Sequence, residues 1–433
     1  MNWISNIRAQ QLSYVVLLGL FLHALTIALN SENKNFGGVI WSDAEGYYLY
    51  LPALFIYQGF EDLPVKTKSE IKPYEGTDKY FTKYTCGVAM MQLPFFLGFH
   101  YSLKLQGMPT TGYGRPYTFS VLLASVCYTF LGLLLLFKSL IRQYSPLISL
   151  LTIICFYLGT NLYYYAVYAG GMSHAYSFFL FSLVVYLVPR FYAQPGWKMF
   201  AVMGFICGLI VLIRPTNILI LLFIVFYNVT SWEDIKERLL FYWTKLSRFW
   251  IFPVVSFCVF IPQFLYWHYV SGQYLLYSYG NQGFPFWNNP QIWNVLFHIK
   301  GGWLLFTPLM FLTLIGLFLG SWRRETNMRL ILAILLLALY IFSSWWCWWF
   351  GGAFGYRSLV EFYALLAFPF AYFSTIIFQS KWVSPKLAFL VLLIPLLYYN
   401  LEMSKDYANL YQAHYTWDTF EQNVEGIFPT FED

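Results

Sequence analysis

The 433-residue chain is 59% hydrophobic and 23% aromatic, with only 11% charged residues and a formal net charge of +6. Soluble domains carry roughly 25% charged residues, so this composition excludes an ordinary water-soluble fold, and nothing in it points to a nucleic-acid partner. The six cysteines (Cys86, Cys127, Cys155, Cys207, Cys258, Cys347) stand singly, without a C-x-x-C pair, which suggests neither a disulfide framework nor a thiolate zinc site.

A spanning helix needs roughly 20 apolar residues. Hydropathy places spans near 12–29, 117–137, 147–163, 174–189, 199–213, 215–229, 249–268, 303–320, 330–345, 359–378 and 384–399. The fold expected is therefore an all-α integral membrane protein of about eleven transmembrane helices, a single polytopic domain over 1–433. The first run, Leu12 to Leu29, is long for a signal peptide and lacks a small-residue cleavage site, so it reads as an uncleaved first helix.

The distribution of Lys and Arg sets the orientation. With the N-terminus inside and the C-terminus out, the cytoplasmic segments hold 14 of the 26 basic residues but only 4 of the 20 acids, Glu233, Asp234, Glu237 and Glu325. Counting the apolar stretch Val88 to Leu105 as a span would invert every later loop. With Gln92, His100 and Lys104 along it, that stretch reads instead as a helix laid on the membrane surface. The outer side then carries a large first loop (30–116) with interfacial helices, a second long loop (269–302), short loops near 164–173 and 345–358, and a C-terminal tail (400–433). The inner loops are short and basic, without a phosphate-binding Gly-rich loop or a dinucleotide fingerprint, so no ATP or NAD site is expected and chemistry is sought outside.

In the first outer loop, Trp41-Ser42-Asp43-Ala44-Glu45-Gly46 puts two carboxylates just past the first span. An acid walled by aromatic rings at the interface is partly desolvated, which favours a raised pKa and proton-accepting chemistry near neutrality. Glu45 fits equally as metal ligand or orienting partner, although a lone D-x-E is a weak metal signal and no divalent ion is otherwise indicated. Lys83 and Arg115 lie at headgroup depth, suited either to anchoring helices or to meeting a lipid phosphate. Arg214, in Arg214-Pro215-Thr216-Asn217, suits a turn between helices or a functional intramembrane charge. Arg357 follows the block Trp345-Trp346-Cys347-Trp348-Trp349-Phe350-Gly351-Gly352, whose rings offer flat faces to a sugar or an isoprenoid, and Glu361 falls one helical turn later as its expected partner. His174 opens a helix after Gly170-Gly171-Met172-Ser173, and the other histidines are scattered, so a zinc hydrolase is not indicated.

Asp43 past the first helix, Lys83-Tyr84-Thr85-Cys86-Gly87 before a surface helix, Ser173-His174-Ala175-Tyr176, Arg214-Pro215-Thr216-Asn217, and the late W-x-F-G-G-x-F-G-x-R ending at Arg357 occur in that order along the chain. Together they resemble the polytopic GT-C glycosyltransferases, in particular the branch similar to protein O-mannosyltransferases and aminoarabinose transferases (family-39-like). That resemblance implies transfer of a sugar from a polyprenyl-phosphate carrier to a glycan, lipid or protein acceptor on the periplasmic face of a bacterial inner membrane.

It also implies roles. Asp43 matches the first-loop general base, with Glu45 second. Lys83 matches the lysine that meets the lipid phosphate, though Tyr84-Thr85-Cys86 stands where the family often has prolines. Arg357 matches a late-loop arginine on the leaving phosphate, with Arg115 a weaker candidate. His174 falls where relatives often carry an acid, and His174 and Arg214 are placed among the substrate contacts. The residues leave two other readings open: a glycan ligase or polymerase with similar outer-loop chemistry, and a lipid or polysaccharide flippase. Against the latter, no internal repeat is evident and the ionisable residues gather on one side.

Overall fold

The computed structural model describes residues 2–30, 36–64, 70–351, 354–409 and 416–428, side chains excluded at 2–7, 36–37 and 407–409. Gly352 and Ala353 of the late motif and parts of the first loop and C-terminal tail lie outside these.

Among the described residues the structure is helical, with one two-residue antiparallel strand pair, Lys72–Pro73 against Tyr80–Phe81. The main helices are α1 (Asn2–Asn30), α2 (Asp43–Tyr48), α3 (Gly87–Leu105), α4 (Arg115–Leu140), α5 (Pro146–Leu158), α6 (His174–Ala193), α7 (Trp197–Ile213), α8 (Ile220–Phe226), α9 (Trp232–Thr244), α10 (Ile251–Ser271), α11 (Leu309–Trp322), α12 (Met328–Ser343), α13 (Tyr363–Gln379), α14 (Val383–Asn409) and α15 (Trp417–Ile427).

Each of the eleven apolar segments of the sequence contains helix, several of them interrupted or shortened. Among the described residues, five helical stretches are long and apolar enough to cross a bilayer: Arg8–Asn30, Arg115–Leu140, His174–Ala193, Leu246–Ser271 and Val383–Asp406. Six more apolar helices are shorter. Their shortness has local causes. The expected span 303–320 breaks at Pro308, leaving the turn Trp303–Phe306 before α11. The span 147–163 stops at Leu158, before Gly159, and resumes as the short helix Leu162–Val167. The span 359–378 begins late, after a 3₁₀ turn at Arg357–Leu359.

The outer faces of these helices are apolar. On α10, Val259, Gln263, Tyr266 and Val270 are buried at helical spacing, while Val254, Phe257, Ile261 and Leu265 form an exposed stripe. Water would leave that stripe uncovered and a bilayer covers it, so this is an integral membrane protein.

Helices approach closely where side chains are small. Gly204 and Gly208, four apart on α7, face α10, where a Cβ at Gly204 would lie 2.5 Å from the Phe252 carbonyl oxygen and one at Gly208 2.9 Å from Ser256 Cα. This is the G-x-x-x-G contact of membrane helices, sealed by a 2.7 Å hydrogen bond from Ser256 Oγ to the Gly204 carbonyl.

Helix α3 lies against α4 and α2 and is not among the helices apolar enough to span. Its polar residues differ in placement. Gln92 is buried and donates to Tyr176 Oη at 3.1 Å, and His100 Nδ1 lies 3.0 Å from Tyr117 Oη, so only Lys104 of the three is on the exposed face.

Candidate active site

Helix α2 begins abruptly. Ser42, directly before it, has φ +50°, a left-handed conformation costly for a residue with a side chain, and Asp43 is the first helical residue. The helix places Asp43 toward the late loop. Glu45 is buried at 2% exposure. Two residues apart on a helix is about 200° of rotation, so the D-x-E carboxylates diverge and do not form a pair.

Asp43 is held on both oxygens. Arg357 Nη2 lies 2.8 Å from Oδ2, and Tyr84 Oη donates to Oδ1 at 2.5 Å. Tyr84 is fixed in turn by its packing, since its ring fills the space that a Cβ on Gly46 would need. The ring also meets Tyr47 at 4.9 Å. Burial raises the Asp43 carboxyl, but the Arg357 guanidinium, the Tyr84 hydrogen bond and the Lys83 charge lower it, and the balance lies below the usual value. The raised pKa expected from desolvation alone is therefore reversed by the opposite charge that the fold supplies. Tyr84 is pushed far up by burial and by Asp43, so it stays a hydrogen-bond donor.

The Lys83 segment is pinned by the far side of the bundle. Cys86 N–H donates to Gln263 Oε1 at 2.8 Å and Thr82 N–H to Tyr266 Oη at 2.9 Å, both from α10, while the Thr85 hydroxyl donates to the Leu212 carbonyl at the end of α7. Ser278 Oγ, from the 269–302 loop, donates to the Lys83 carbonyl at 2.7 Å. Lys83 Nζ is 3.9 Å from Glu70 Oε2 and 5.1 and 6.0 Å from the rings of Tyr84 and Tyr279. Burial holds Glu70 above the ordinary carboxylate range despite Lys83.

Behind these lies a buried charged cluster. Arg214 ends α7, and its Nη1 lies 3.1 Å from Glu361 Oε1 while Nη2 donates to Ser358 Oγ at 3.1 Å. His174 Nδ1 is 3.1 Å from the other Glu361 oxygen and 3.3 Å from Arg214. Glu361 thus pairs with Arg214 and His174, not with Arg357 as sequence spacing suggested. The i,i+4 rule presumes an α-helix, and a 3₁₀ turn with about 120° per residue at Arg357–Leu359 turns Glu361 off the Arg357 face. The loop is anchored by Asn161, which donates to the Phe354 carbonyl at 3.0 Å and accepts from Tyr363 Oη at 2.7 Å.

The structure brings Asp43, Lys83, Arg357, Arg214 and His174 into one region, joined by Tyr47 and Tyr279, which interact with Asp43, Arg214 and Arg357. Arg115 stands apart from it: exposed at the start of α4, its guanidinium lies 5.2 Å over the Phe119 ring. Sequence reasoning passed over Tyr84, Tyr47, Tyr279, Glu70 and Asn161. Of these, Tyr84 alone had a signal, its place in the Lys83 motif. Among the described residues no three His, Cys, Asp or Glu side chains gather as a metal site. A separate apolar cavity of about 500 Å³, walled by Phe297, Pro308, Tyr399 and Phe420 among others, contains none of these residues.

No protein-family model matches the chain, and no curated protein matches it in sequence. Its structure is similar to the crystal structure of the Archaeoglobus fulgidus oligosaccharyltransferase in the apo form, with a TM-score of 0.52 and 11% identity, over 95% of this chain and 59% of that one. At that identity the likeness is one of fold. Such a fold fits the GT-C resemblance without singling out a branch, and the chain spans 59% of the length of that neighbour.

Proposed function

We propose that this chain is a membrane glycosyltransferase that moves a sugar from a polyprenyl-phosphate carrier to an acceptor hydroxyl on the non-cytoplasmic face. The observation that carries the reading is the convergence of Asp43, Arg357 and Lys83, from loops at opposite ends of the chain, in one aromatic-walled site. In this reading the helices cross the bilayer about eleven times, and the site lies at the headgroup plane, where a lipid-borne phosphate also lies.

Transfer breaks the bond from the sugar's anomeric carbon to the carrier phosphate and forms one to the acceptor oxygen. The acceptor proton passes to Asp43, and the departing polyprenyl phosphate carries away the electron pair of the broken bond. Arg357 and Lys83 stand where that negative charge grows, the arrangement that lowers such a barrier. Direct displacement inverts the anomeric centre. Arg214 is already neutralised by Glu361, so it serves as a scaffold for the late loop and His174 as its buried partner. A flippase would need a path of charges through the membrane, whereas these charges form one closed cluster.

The test is transfer of radiolabelled sugar from polyprenyl-phosphate donors by membranes carrying wild-type protein or Asp43→Asn. Loss of a general base costs roughly 10²- to 10⁴-fold. Transfer lost with carrier binding kept supports the assignment, and undiminished transfer removes Asp43 from the chemistry.

A further inference from the structure

Resting on that reading, we infer that the Asp43–Arg357 pair is a latch opened by the donor: a carrier phosphate seated on Arg357 cancels the cation's hold on Asp43, so the base is armed only after the donor has bound and the acceptor binds productively second.

Both Asp43 oxygens are engaged in the resting state, Oδ1 by Tyr84 at 2.5 Å and Oδ2 by Arg357 at 2.8 Å. The two restraints differ in kind. Tyr84 is wedged over Gly46 and its phenol has little freedom to leave. Arg357 has unused donors: its buried Nε has no hydrogen-bond partner among the described residues, and Nη1 meets only Met172 Sδ at 3.6 Å. A guanidinium with N–H groups to spare is suited to a phosphate, which it grips by paired hydrogen bonds. An anion placed there offsets the positive field at Asp43 whether or not the 2.8 Å contact itself breaks.

The other charges near the carboxylate do not replace Arg357. Lys83 is shared with Glu70; Arg214 is committed to Glu361; Tyr47 is held neutral, its pKa pushed up to about 12 by burial and by Asp43. Only the guanidinium that the phosphate would seize also holds Oδ2. The expected consequence is an Asp43 that is ionised and a poor base alone, and a stronger proton acceptor beside the donor.

A water-soluble carbodiimide with an amine nucleophile labels protonated carboxyls, so Asp43 labelling in the purified full chain, read by peptide mass spectrometry near neutral pH, reports this directly. Undecaprenyl phosphate is the probe, and its binding is followed separately by thermal stabilisation of the protein in detergent. Because each unit of rise in pKa multiplies the protonated fraction by up to about ten, labelling is expected to rise at least about threefold with bound probe. Arg357→Gln should label strongly without the lipid and gain nothing from it, while Tyr84→Phe should keep the lipid response. If the probe binds and wild-type labelling stays level or falls, the latch is refuted and the transferase reading stands. If the probe does not bind, both fall.

Discussion

Arg357 Nη2 lies 2.8 Å from Asp43 Oδ2, so the carboxylate just past the first helix and the guanidinium of the late loop form one ion pair across the whole bundle. Neither side chain is open to bulk water, at 12% and 21% exposure, and the pair is therefore little screened by salt.

The pair sets a pH dependence. With its folded pKa depressed below the ordinary aspartate value of 3.8, Asp43 is ionised throughout the neutral range. Its contribution to stability is present above the unfolded-state pKa and is lost as pH falls through the lower folded value. Tyr84→Phe removes one lowering contact, so the folded pKa rises toward the unfolded one. Thermal stability followed downward from about pH 5 should therefore show a smaller acid-induced loss in the variant than in the wild type, the loss setting in within about one unit of the ordinary aspartate value in both.

Arg357→Lys is expected to behave unlike a conservative change. Lysine keeps the charge but has a compact ammonium in place of the planar fork, and it cannot reach Asp43 and a phosphate together. Sugar transfer should drop by more than about tenfold, equivalent to about 1.4 kcal/mol of transition-state stabilisation, with the protein still folded by circular dichroism.

These residues show where sequence reading succeeds and where it stops. Among the described residues, hydropathy located the five long and six shorter apolar helices because a lipid-facing helix must be apolar over most of its length, as the exposed stripe Val254, Phe257, Ile261 and Leu265 illustrates. Helix ends were less legible: a single proline, Pro308, shortened one span, and a 3₁₀ turn delayed another. Asp43, Lys83, Arg357, Arg214 and His174 were each visible as polar residues in apolar or aromatic surroundings. Their partners were not, because pairing across the bundle depends on how the loops meet. Arg357 was matched to Glu361 by a rule valid within a helix, while the fold gives Glu361 to Arg214 and His174. Arg115 carried the same charge signal as Lys83 and ends on the surface over Phe119.

Glu361 is completely buried, and Arg214 is 13% exposed. Removing one partner of a buried pair leaves an uncompensated charge, at about 3–5 kcal/mol, whereas removing both is often close to neutral. Glu361→Leu should lower the melting temperature in detergent sharply, and the double variant Glu361→Leu with Arg214→Leu should recover much of the loss. Equal destabilisation by the single and double variants would show that the pair is not the source.

The contact between α7 and α10 predicts a long-range effect. At Gly208 even a Cβ would come within 2.9 Å of Ser256 Cα, so Gly208→Leu forces the two helices apart, and overpacking of this kind costs about 1–3 kcal/mol. Because α10 also carries Gln263 and Tyr266, which hold the Lys83 segment, the variant should weaken carrier binding as well as lower the melting temperature. A drop in melting temperature with unchanged carrier affinity would separate the helix contact from the site.

Gln263→Leu isolates the same linkage without disturbing helix packing. Gln263 is fully buried, and its Oε1 accepts the Cys86 N–H at 2.8 Å. Leucine of similar volume leaves that backbone donor unpaired in an apolar wall, a cost of about 1–3 kcal/mol borne by the loop rather than by α10. The loop that presents Lys83 and Tyr84 then samples other positions. Lys83 would be misplaced for the carrier phosphate, and Tyr84 would loosen its hold on Oδ1. Carrier affinity should fall by roughly five- to a hundredfold on that energy scale, read from the concentration of undecaprenyl phosphate needed for thermal stabilisation, while the melting temperature of the unliganded protein moves little. A large loss of intrinsic stability at unchanged carrier affinity would assign Gln263 to the bundle core and remove the loop from the argument.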